Sequence, residues 1–190
     1  MRNAIQCLLM SSLLLGCGPR EDHGPTKRVL VNAQTARAGV SHIAMRYEQI
    51  LRPADGGPDA AARGWEDLAG FHESAEGTAA RTLLSEYAKP IVVDPTSLRR
   101  GEVEEVSLAT AALVNLALEP RGTWESFTDE LKRARSRLDR AMAALETGTK
   151  GFVLIEARTE TNKATSAYAG AITRAKAADA KKGEGAVTIP

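Results

Sequence analysis

Beyond its first seventeen residues this chain has no cysteine, because Cys7 and Cys17 are the only two it contains. The body therefore has no disulfide, thiolate metal site or cysteine nucleophile, and packing alone must hold it together. Histidine is nearly as scarce, with only His23, His42 and His72. An excess of one charge is also missing, since 25 Lys and Arg face 24 Asp and Glu. A chain so close to neutral has no global electrostatic footprint for nucleic acid or anionic lipid. No apolar run after the N-terminal segment approaches the ~20 residues that span a bilayer.

What the chain does have begins at its N-terminus. Met1 and Arg2 form a small positive region, Ile5 to Leu15 an apolar one, and Gly16 supplies a small residue at a cleavage point. That order is the signature of a secretory signal peptide. Leu14-Leu15-Gly16-Cys17 places a cysteine directly after the small residue, and the stretch resembles the lipobox of bacterial lipoproteins. The resemblance covers the first eighteen residues. It implies cleavage before Cys17, diacylation of the Cys17 thiol, acylation of the new amino terminus, and a membrane anchor made only of lipid. A diacyl or triacyl group meets the two-signal requirement for stable attachment. Removing residues 1–16 leaves 174 residues, enough for one domain with a real core. Arg2 departs with the signal, so the mature chain is formally neutral.

Residues 17–26 read as the lipidated cysteine and a flexible tether rich in Gly, Pro and charge. From there the pattern is helical. Val29, Ala33, Ala36, Val40, Ile43, Tyr47 and Ile50 alternate spacings of four and three, predicting a helix over 27–51. A second is expected over 60–89, weakened by Gly64, Gly70 and Gly77, with Pro90 ending it. Asp94-Pro95 suggests a cap before a third helix over 102–119, apolar nearly all round from Val106 to Leu118 and expected at the centre of the domain. Thr123 caps a fourth over 124–147. A fifth is expected over 152–182, and residues 183–190 as a flexible tail. The fold class that follows is all-α: an up-and-down antiparallel bundle of about four to five helices over 27–182.

The body offers little catalytic chemistry. His72-Glu73-Ser74-Ala75-Glu76 starts like a zinc-protease helix, but Glu76 stands where the second histidine is needed. His72 and Glu76, with His42, make at most a dispersed site. Asp94 to Glu105 has the length of a calcium loop, yet Leu98 and Arg99 occupy positions that need an oxygen ligand and a glycine. Gly39-Val40-Ser41-His42-Ile43 lacks the final glycine of a hydrolase elbow. No catalytic residue, metal ligand or cofactor site is nominated. The strongest charge bias is Lys132, Arg133, Arg135, Arg137 and Arg140 on the fourth helix, a candidate binding surface for an acidic partner, a headgroup or an anionic glycan. Aromatics do not interleave with these bases, so nucleic acid is not expected there.

The sequence thus points to a non-catalytic envelope lipoprotein, anchored through its N-terminal lipid and binding or scaffolding an envelope protein. The alternatives are glycan or small-ligand binding through the basic stripe, and an enzyme with a site near His72. Gly18 follows Cys17 where an aspartate resembles an inner-membrane retention signal in enteric bacteria, which favours the outer membrane where the host has one.

Overall fold

The computed structural model describes residues 23–52, 58–121 and 123–185, and every regular element among them is a helix. Cys17, the segment 1–16, residues 18–22 of the expected tether and residues 186–190 of the expected tail lie outside the described residues. The elements are α1 (His23–Leu51), α2 (Pro58–Glu73), α3 (Ala75–Tyr87), α4 (Arg100–Leu118), α5 (Trp124–Thr147) and α6 (Gly151–Gly185).

They form five legs that run up and down. Contacts between α1 and α3 pair Gly39 with Leu84 and His42 with Glu76, so the α2–α3 leg descends against α1. Arg137 of α5 meets Glu105 of α4, and Arg99 before α4 meets Thr149 after α5, so those two legs are antiparallel. Lys27 meets Glu156 and Glu160 while His42 meets Tyr168, so α1 and α6 run parallel. The molecule is an all-α helical bundle, as the periodicity predicts.

The stripe expected on α1 is buried: Val29, Ala33, Ala36, Val40, Ile43 and Tyr47 are at most 1% exposed. Phe127, Leu131, Leu138, Ala141 and Leu145 of α5 are buried as well. The centre, however, is α1 and not the third predicted helix. α1 packs against all five other helices. Its small inward residues, among them Ala33, Ala36 and Gly39, let neighbours approach from several sides. In α4 the apolar girdle is only partly used, since Leu108 is 61% exposed and Ala112 and Asn115 face outward too. Alanine on a surface forfeits little area, so an alanine-rich helix need not be buried all round.

Three features differ from the sequence expectation by more than the one or two residues by which helix ends commonly vary. α1 starts at His23, so His23-Gly24-Pro25-Thr26 belongs to the fold, with Pro25 and Thr26 buried. Proline is tolerated in a first helical turn because the N–H it lacks has no intrahelical partner there. α6 continues through Gly183-Glu184-Gly185; glycine weakens a helix without removing a donor.

The third difference is a break in the second predicted helix. Ser74 takes an extended conformation (φ −63°, ψ 160°) and its Oγ accepts from the Gly77 N–H at 3.0 Å, starting α3 afresh. The same hydroxyl donates to the Phe71 carbonyl at 2.7 Å. A Cβ on Gly77 would lie 1.9 Å from the Phe71 oxygen, so only glycine lets the two helices meet this closely.

Candidate functional site

The break at Ser74 separates the two residues that made the sequence resemble half a metal site. One turn apart on a continuous helix, His72 and Glu76 would share a face. Here His72 lies in the last turn of α2, Glu76 in the first turn of α3, and each has different partners.

His72 Nε2 stands 2.7 Å from the Tyr47 hydroxyl, which donates to the Ala117 carbonyl at 2.9 Å. Tyr47 is fully buried, and burial pushes its hydroxyl well above the ordinary value of 10, keeping the proton on. One phenolic proton goes to Ala117, so the network assigns the Nε2–H tautomer to His72. Burial also lowers the His72 pKa from its ordinary 6.5, and the Arg81 charge adds to that. Phe71 and Phe127 rings meet Tyr47 at 6.1 and 5.8 Å between centroids. His72 is thus a neutral hydrogen-bond donor at the edge of an aromatic cluster.

Glu76 is only 5% exposed, and its Oε1 collects three basic groups: His42 Nε2 at 3.1 Å, Arg46 Nε at 3.2 Å and Lys176 Nζ at 3.3 Å. Arg46 Nε is at ion-pair distance without hydrogen-bond geometry. Its guanidinium also donates to Gln49 at 2.7 Å and sits 5.6 Å from the Phe71 ring centre. Asp179 of α6 accepts from the backbone N–H groups of Ala75 and Glu76 at 2.9 and 3.0 Å, placing a carboxylate at the positive end of α3. Burial lowers the His42 pKa below 6.5 and outweighs the opposing pull of Glu76. Sequence reasoning missed Arg46, Lys176 and Asp179, which come from helices distant in the chain and carry no motif.

Two open clefts flank this network. The larger, about 670 Å³, is lined by Arg46, Asp67, Phe71, Ser74, Lys176 and Asp179 among others. The other, about 310 Å³, is lined by His42, Thr165, Tyr168, Ile172, Thr173 and Lys176 among others. Among the described residues, His42 facing the Glu76 carboxylate has the form of an acid–base pair. Arg46 and Lys176 approach the same oxygen, so the Glu76 carboxylate faces three basic groups and not His42 alone. Among the described residues no group of three or more His, Cys, Asp or Glu could hold a metal ion.

The five basic residues of α5 do not make one stripe. Arg135 turns toward α1 and donates to Ser41 at 3.1 Å. Lys132 pairs with Asp129 at 3.3 Å, and Arg137 grips both Glu105 oxygens at 3.0 and 3.3 Å. Arg133, Arg137 and Arg140 share an exposed ridge at helical spacing, where Arg133 and Arg140 make no ion pair with the described residues. Beside the ridge Arg37 bridges to Asp139 at 3.0 Å. His23, which the sequence places in the flexible tether, meets the Phe152 ring edge-on at 5.4 Å.

No protein family matches this chain, and neither a curated protein nor a solved structure is detectably similar to it. No described helix is long and apolar enough to cross a membrane.

Proposed function

We propose that this chain is a bacterial envelope lipoprotein, held to a membrane by lipid on Cys17, whose bundle serves as a non-catalytic protein-binding or scaffold module. The observation that carries the reading is the Leu14-Leu15-Gly16-Cys17 junction behind a short basic and apolar leader. It is consistent with a body in which His42 and His72 are hydrogen-bonded to Glu76 and Tyr47. Gly18 after Cys17 favours the outer membrane, and nothing in the charge distribution favours nucleic acid.

The test is crosslinking in cells followed by pull-down of the lipidated protein, with Cys17→Ala as the unanchored control. The reading expects an envelope protein captured only by the anchored form. Recovery of glycan, of a small ligand or of nothing would contradict it.

A second reading has one observation in its favour. Arg133 and Arg140 stand exposed, without an ion pair among the described residues, on either side of Arg137, the arrangement a polyanionic glycan would use. Charge reversal at Arg133 and Arg140 would then abolish binding to isolated envelope glycan without altering helicity. The enzyme alternative near His72 draws support only from the His42–Glu76 pair; loss of a turnover in His42→Asn at unchanged helicity would establish it.

A further inference from the structure

Among the described residues, half of the exposed large apolar side chains lie at the end of the bundle where α1 begins. α1, α4 and α6 run in the same direction, so their N-termini gather at this end beside the close of α5. Leu98, just before α4, is 70% exposed; Phe152 and Ile155, in the first turns of α6, are 53% and 69% exposed. Cα–Cβ bonds of a helix tilt toward its N-terminus, so Phe152 and Ile155 lean off this end. Of the other exposed large apolar side chains among the described residues, Met45 lies on α1, Val92 earlier in the 88–99 connector that also carries Leu98, and Leu108 on the flank of α4.

We infer that this end is a membrane-docking face, with Leu98, Phe152 and Ile155 seated in the interfacial layer of the bilayer so that the bundle stands end-on. The inference rests on the proposed lipidation of Cys17 and says how the anchored body meets the membrane. The chain length argues for that occupant. Only residues 18–22 separate Cys17 from His23, and six extended steps of ~3.3 Å reach no more than ~20 Å. His23 in turn touches Phe152, so the tether leaves from the apolar end itself. Lipid is therefore the surface nearest these side chains. The attraction is apolar, in keeping with a formally neutral mature chain, and depends little on anionic lipid. In this pose Met45 stands ~33 Å further out along α1 at 1.5 Å per residue, and the Glu76 network faces away from the membrane.

The test uses full-length lipidated protein reconstituted in phosphatidylethanolamine–phosphatidylglycerol vesicles. One nitroxide is placed at Ile155→Cys and, in a second variant, at Met45→Cys. Both positions are exposed, so substitution leaves the core intact, and circular dichroism checks this. The acylated Cys17 leaves the introduced cysteine as the single free thiol. Oxygen, which concentrates in lipid, should relax the label at 155 several-fold more, relative to a water-soluble nickel complex, than the label at 45. Equal nickel access at both positions on vesicle-bound protein overturns end-on docking while leaving the anchor standing. Protein that never co-sediments with vesicles overturns the anchor and this inference together.

Discussion

The Tyr47 hydroxyl and His72 Nε2 lie 2.7 Å apart, and with the Ala117 carbonyl they tie α1, α2 and α4 at one buried point. Removing that hydroxyl leaves two polar groups without their shared partner. Tyr47→Phe is therefore expected to lower unfolding stability by about 1–3 kcal/mol, read by urea denaturation. Tyr168 is the contrasting case, because its hydroxyl is buried with no hydrogen-bond partner among the described residues. Tyr168→Phe should be neutral or stabilising by up to about 1 kcal/mol. Equal losses in the two variants would contradict the assigned network.

The α2–α3 break depends on Gly77. An alanine there meets the Phe71 carbonyl carbon at 2.8 Å as well as its oxygen, and both are backbone atoms that cannot swing aside. Gly77→Ala should cost about 2 kcal/mol or more, at the upper part of the range for overpacking. Gly70, one helix earlier, has nothing within 4 Å of the place an alanine methyl would occupy. Gly70→Ala should stabilise by about 0.5–1 kcal/mol. Thermal unfolding of the pair checks the sign of each.

Glu76 holds α3 against α1 and α6. Glu76→Ala leaves Arg46 and Lys176 facing each other, but their side chains are 32% and 47% exposed and can turn to water. The expected loss is about 1–3 kcal/mol, below the 3–5 kcal/mol typical when a fully buried ion is stranded. Lys176→Met should cost under about 1 kcal/mol, as for other half-exposed pairs. Denaturation midpoints of the two variants give the order.

His42 and His72 both titrate below 6.5 in the folded chain. The unfolded chain then binds more protons than the folded one between the lowered values and 6.5. Stability is fully present above pH 6.5, falls as pH drops through that value, and stops falling from this cause below the folded values. The titratable and charged groups facing these rings are Glu76, Arg46, Lys176 and Tyr168 for His42, and Tyr47 and Arg81 for His72. Thermal midpoints should decline between about pH 7.5 and pH 5, and less steeply in a His42→Asn/His72→Asn variant. A midpoint that rises on acidification over that window would show the Glu76 charge outweighing burial at His42.

The fold was legible because periodicity reports burial directly: the Val29–Tyr47 and Phe127–Leu145 stripes are the seams that close the bundle. What misled was local chemistry inside a long helical pattern. Ser74 with Gly77 has the capping residue and the space for a fresh start, yet the surrounding apolar spacing runs straight through both. Once that break goes unread, His72 and Glu76 look like neighbours. The Glu76 network was illegible for another reason: Arg46, Lys176 and Asp179 are joined to it only by the tertiary fold. The basic residues of α5 were visible, but sequence did not show that Ser41, Glu105 and Asp129 engage Arg135, Arg137 and Lys132.

The anchor at Cys17 underlies both the proposed function and the end-on pose, and intact mass spectrometry of the protein extracted from its native membrane tests it most directly. The account predicts a chain beginning at Cys17, lacking residues 1–16, and carrying the mass of a diacylglyceryl group with or without an amide-linked acyl chain. A chain that retains Met1, or one cut near Gly16 with no added lipid, would contradict it.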